Sequence, residues 1–174
     1  AYTVQLHQPI TDALALKGIS MIAENLEKAY ENGEDREARR NMMIASTIGG
    51  MAFISSNVGA VHAFAETVGA WFDTPHGVAN SLFLPYIMEF NIPACPERFA
   101  DIADAMGIER EESMSDEQYA LKAVEYVKAL NRKLNIPTIK EIKGITEERF
   151  EAIAERSANN VLSNDNARKI TKED

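Results

Sequence analysis

The chain has 174 residues, 45% of them hydrophobic, enough for one domain with a real core or one domain with a small appendage. Its formal net charge of -9 argues against nucleic acid and anionic membranes as partners, because both attract cationic surfaces. The single cysteine, Cys95, excludes an intrachain disulfide, fits a reducing, cytoplasmic setting and reads as an inert thiol.

No run approaches the roughly 18 to 20 apolar residues of a membrane span. No basic segment followed by an apolar one opens the chain. The start, AYTVQLHQP, lacks Met and runs straight into helix-forming sequence. A cut inside a longer polypeptide and a processed or tagged start both fit it.

Pro9 to Asn32 reads as the first helix, with Leu14, Leu16, Ile19, Ile22, Ala23, Leu26 and Tyr30 as an apolar stripe and Gly33 as its stop. Asp35 to about Asn57 is a second helix, charged at first and apolar from Met42 onward. Gly49 and Gly50 in its middle each cost about 1 kcal/mol relative to Ala, and such glycines usually mark the close approach of a backbone or ligand. Gly59 ends it, and Ala60 to Phe72 is a short third helix. After the turn Asp73-Thr74-Pro75, a fourth helix opens at His76 or Gly77, with Leu82, Leu84, Ile87 and Met88 expected in the core.

Two prolines make Asn91 to Pro96 a connector, and Glu97 to Met106 is a helix stopped by Gly107. Ser115 caps a further helix running to about Leu134, with Glu117 and Gln118 as partial capping partners. Thr146 starts the last helix, and the polar tail from Ser163 is expected to fray. No strand-like alternation persists, and no glycine-rich phosphate loop is present. The fold class is therefore all-α, a bundle of about seven helices over residues 1–174.

The chemistry concentrates in VHAFAETVGAWFDTPHGVANSLFLP, residues 61–85, which holds two of the three histidines. His62 and Glu66 are one turn apart, so their side chains share a helix face. His76 follows fourteen residues after His62, across a short turn that makes the two helices neighbours. Two imidazoles and a carboxylate suit a divalent transition metal such as iron or zinc, able to polarise an alcohol or carbonyl oxygen. The plainer alternatives are a hydrogen-bonded histidine at a helix start and a simple His–Glu charge pair. Three ligands also need water or another segment to complete the shell. His7, near the irregular start, is expected in solvent.

These residues resemble the signature of the iron-containing alcohol dehydrogenases, the metal-dependent group related to dehydroquinate synthase. The pattern G-x-x-H-x-x-A-H, then P-H-G, then L-P, is met in register by Gly59, His62, Ala65, Pro75, His76, Gly77, Leu84 and Pro85. Pro9 to Ala15, Asn91, Pro93 and GIEREESMSDEQYA also follow the family's order, so the resemblance covers most of the chain.

The resemblance implies the C-terminal helical, metal-binding domain of a dehydrogenase that interconverts alcohols and aldehydes or ketones with NAD or NADP. In such enzymes an N-terminal α/β domain, absent from this chain, holds the nucleotide. His62 and His76 take the place of two of the usual four ligands of Fe2+ or Zn2+, and His76 also lies toward the cofactor. The other two, an Asp and a His, belong to a D-x-x-x-H-A-x-E motif that would immediately precede Ala1. At Glu66 most members carry His, so Glu66 stands as a catalytic proton relay or hydrogen-bond partner. Phe53 falls where relatives place an aromatic wall of the substrate pocket; an ordinary core Phe is the alternative. The implied partners are a small alcohol or aldehyde, the N-terminal nucleotide-binding domain and further copies in a homo-oligomer, with the fragment inactive alone. The other reading is a non-catalytic helical module that serves assembly.

Overall fold

A computed structural model describes all 174 residues. It contains seven α-helices, α1 (Pro9–Glu31), α2 (Arg36–Ser56), α3 (Ala60–Phe72), α4 (His76–Asn91), α5 (Pro96–Ala105), α6 (Asp116–Lys133) and α7 (Phe150–Ala158), joined by loops and short 3-10 turns. The all-α, seven-helix architecture agrees with the apolar spacing of the sequence. No single helix is long and apolar enough to cross a membrane. The chain divides into two compact units, Ala1–Asn57 with Cys95–Ala123, and Val58–Ala94 with Val124–Asp174.

In the first unit, α1 and α2 pack side by side. Each starts on a side-chain cap. The Gln8 side chain accepts from the Ile10 N–H at 3.0 Å while Thr11 Oγ1 accepts from the Gln8 N–H at 3.2 Å, and Asp35 Oδ1 accepts from the N–H groups of Glu37 and Ala38. The buried positions are mostly small: Thr11, Ala15, Gly18 and Asn25 on α1, and Ala38, Ala45, Ala52 and Ser56 on α2. The large stripe residues of α1 lie beside this seam, partly buried, and Tyr30 is exposed. Small residues repeating at seven-residue intervals let two helix backbones approach along a shared seam.

That places the close approach between Gly18 and the α2 backbone, where a Cβ on Gly18 would lie 3.9 Å from the Ala45 carbonyl oxygen and 4.0 Å from the Gly49 nitrogen; Gly50 is outside it. A Cβ on Gly18 would lie 3.6 Å from Ile48 Cγ2, whereas nothing stands within 4 Å of a Cβ on Gly49 or Gly50. Tyr119 is fully buried, and its hydroxyl has one proton to share between two acceptors, Asp104 Oδ1 at 2.7 Å and the Ile108 carbonyl oxygen at 2.6 Å. Ser115 and Gln118 form the reciprocal cap that starts α6. Cys95 is buried, and burial, then the Glu97 carboxylate, pushes its thiol up, which fits an inert residue.

In the second unit the core joins Val68 of α3, Leu82, Phe83 and Ile87 of α4, Ile153 of α7, and Ile145 and Ile170 from outside the helices. Each such side chain contributes about 1.5–3 kcal/mol on full burial. Leu82, Ile87 and Met88 are buried as the sequence suggested, but Leu84 is 37% exposed. Its apolarity alone gave no sign of which side of the helix it faces.

The tail also departs from expectation. Ser163, Asn166 and Ile170 are buried, so the segment is tied down and does not fray. Its polar residues anchor it: Asn166 Nδ2 donates to Asn91 Oδ1 at 2.7 Å, and Asn166 Oδ1 accepts from the Ala60 N–H at 3.2 Å. The Gly59 cap position has no side chain to offer, so an amide 106 residues away caps α3 instead.

Candidate metal centre

The site begins with the turn between α3 and α4. Asp73, in the left-handed conformation at φ 50°, ends α3, and Pro75 fixes the entry to α4. Gly69 permits the return: a Cβ there would meet the Thr74 carbonyl oxygen at 3.3 Å. α3 and α4 then pack against each other, with His62 in the first turn of α3 and His76 as the first residue of α4.

The two rings come together, their centroids 5.3 Å apart at an interplanar angle of 54°. His62 is half-buried and His76 is exposed. Burial holds His62 below the ordinary imidazole range, and His76 pushes the same way against the opposing pull of Glu66. The shift favours the neutral ring, which is the form that donates a lone pair to a metal. Two adjacent neutral imidazoles therefore fit a divalent transition metal as partial ligands. No group of three potential donors is assembled in the chain, so the pair can supply only part of a tetrahedral or larger shell.

Glu66 is exposed one turn after His62, and its Oε2 accepts from Asn160 Nδ2 at 3.3 Å. It is close enough to bias His62 electrostatically, yet it forms no donor cluster with the two rings. Phe53 lies on α2 in the other unit, 48% exposed, and so is not an ordinary core residue. His7 is exposed, with Nδ1 3.2 Å from Asp12 Oδ2.

Residues 1–174, the whole chain, match the family described as Fe-containing alcohol dehydrogenase family, C-terminal. The chain belongs to the iron-containing alcohol dehydrogenases. It is 38% identical to an NADPH-dependent butanol dehydrogenase of Clostridium saccharobutylicum, over 100% of this chain and 45% of the relative. It is 40% identical to a 1,3-propanediol dehydrogenase of Klebsiella pneumoniae, over 97% of this chain and 43% of the relative. Among solved structures, an alcohol dehydrogenase from Oenococcus oeni superposes with a TM-score of 0.93 at 38% identity, covering 99% of this chain and 45% of that one. The chain thus spans less than half the length of these members of the iron-containing alcohol dehydrogenase family.

Three asparagines around the histidines were not singled out in the sequence. Asn80 contacts His76, Asn160 contacts Glu66, and Asn166 caps the helix that carries His62. Asn80, at i+4 from His76 on a helix, was open to the same spacing argument that paired His62 with Glu66. Asn160 and Asn166 are distant in sequence, and no local pattern announces them.

Proposed function

We propose that this chain is the metal-binding helical part of an NAD(P)-dependent alcohol dehydrogenase that interconverts alcohols with aldehydes or ketones by hydride transfer. The observation that carries the reading is the juxtaposed His62–His76 pair in a chain that matches this family from end to end. Fe2+ or Zn2+, held by His62, His76 and donors from outside this chain, would act as a Lewis acid on the substrate oxygen. His62, kept neutral by burial, offers a lone pair without first losing a proton. His76, exposed at the start of α4, is open both to the metal and to a nicotinamide presented by a separate N-terminal nucleotide-binding domain. The exposed carboxylate of Glu66 can take a proton from the substrate side and hand it to water, and Asn160 restrains one of its oxygens. Phe53 offers an aromatic surface to the carbon chain of an alcohol or aldehyde. The whole protein would be cytoplasmic.

On this reading the chain alone is inactive, since half the ligand shell and the nucleotide site lie elsewhere. Purified chain given a primary alcohol and NAD+ or NADP+ is expected to produce no reduced nucleotide. Joined behind the N-terminal portion of a family member that carries both the nucleotide-binding domain and the Asp and His ligands, it should turn over with added iron or zinc and lose that turnover in H62A. Turnover by the chain alone, or an undiminished H62A joined protein, contradicts the proposal. A second reading, a helical assembly module, is favoured by the α2 surface, where Met43 is 71% and Ile54 80% exposed beside Ile44 and Met51. Sedimentation of the chain decides it: a monomer at all concentrations removes the assembly role.

A further inference from the structure

Asn80 lies one turn after His76 on α4. Its Nδ2 donates to the His76 carbonyl oxygen at 2.9 Å and stands 3.1 Å from His76 Nε2. A carbonyl oxygen only accepts, so the atom facing it is the amide nitrogen. The second amide proton then meets Nε2, which must present a lone pair. That assigns the ring proton of His76 to Nδ1. Asn80 Oδ1, meanwhile, is buried without a hydrogen-bond partner. An unpaired buried carbonyl is unfavourable, so the oxygen does not hold this amide in place. The two bonds to His76 do.

We propose that Asn80 is a positioning residue for His76: its amide donates to the Nε2 lone pair and so keeps the imidazole in the Nδ1–H form, and it is the group that a divalent cation binding at Nε2 would displace. The displacement half rests on His76 being a metal ligand; the positioning half concerns the metal-free chain and stands apart from it. Orienting partners of metal-binding histidines usually bond the ring nitrogen remote from the metal. Asn80 instead bonds Nε2, the nitrogen this proposal assigns to the cation. When a cation arrives no proton has to leave Nε2, and the amide retains the His76 carbonyl as an acceptor. The arrangement therefore prepares the ligand while competing weakly with the metal.

Nitrogen NMR of the imidazoles in the metal-free chain tests this, at a pH well above the ordinary histidine value of about 6.5. His76 should show a protonated Nδ1 and a bare Nε2. In N80A the two forms should mix, and in N80D, which keeps the shape but replaces the donor with an acceptor, the proton should move to Nε2. A wild-type His76 protonated at Nε2, or an N80D variant with an unchanged ring, overturns the positioning role. In a zinc titration N80A should bind about fivefold more tightly, the equivalent of one neutral hydrogen bond of about 1 kcal/mol. Equal or weaker binding by N80A overturns the displacement. Zinc that perturbs neither ring in any variant overturns it too, together with the metal reading of His76, while the tautomer result still decides the positioning role.

Discussion

Asn166 shows how much a single polar side chain can organise. It is buried, holds Asn91 through reciprocal amide bonds, and caps the helix that presents His62. Asn166→Ala would take the side-chain acceptor from the Ala60 N–H and remove both amide bonds to Asn91 in the core, at a cost of about 3 kcal/mol. Urea unfolding should show that loss, and a change below about 1 kcal/mol would mean water replaces the amide. Tyr119 gives a pH-dependent case. Burial first, then its bond to Asp104, pushes its phenol from 10.0 up to about 12. A folded value above the unfolded one means the stabilisation is intact below pH 10.0 and is lost as pH rises toward about 12. Tyr119→Phe should cost about 1 kcal/mol at neutral pH and weaken the alkaline loss of stability; Tyr2, also pushed up to about 12, would keep part of it. An unchanged alkaline profile in the variant would contradict the assignment. Neither asparagine clamp nor buried phenol was legible beforehand, because each depends on partners that only the fold brings near.

At the level of elements, helix existence was legible and helix packing was not. Period, prolines, glycines and the Ser115 cap placed the helices to within a few residues, because these signals are local. The α1–α2 seam was not read from the sequence, because the apolar stripe is built of large residues while the buried positions are mostly Ala, Gly, Thr and Ser, with Asn25. Size decides which face can meet another backbone closely, and composition does not state which face meets what. Gly50 makes the point testable. With no atom within 4 Å of a Cβ at that position, Gly50→Ala removes a helix-interior glycine at no steric cost. It should stabilise this chain by about 1 kcal/mol in thermal unfolding. A destabilised variant would show that a close neighbour occupies the space after all.

For the molecule as a whole, the family was legible from one segment because that segment carries chemistry as well as packing. His62 and His76 had to sit on separate helices joined by a short turn, and the fold brings their rings to 5.3 Å. Glu66 was harder to place, since same-face spacing on a helix states direction but not partner, and its carboxylate proved to accept from Asn160. On the proposed reading the two histidines form one half of a metal shell. A zinc titration followed through the imidazole resonances tests it most directly. His62 and His76 should respond together with a single weak midpoint while His7 does not, His62→Ala should abolish the response at His76, and dialysis should strip the metal. Separate midpoints for the two rings, or no response at either, would contradict it.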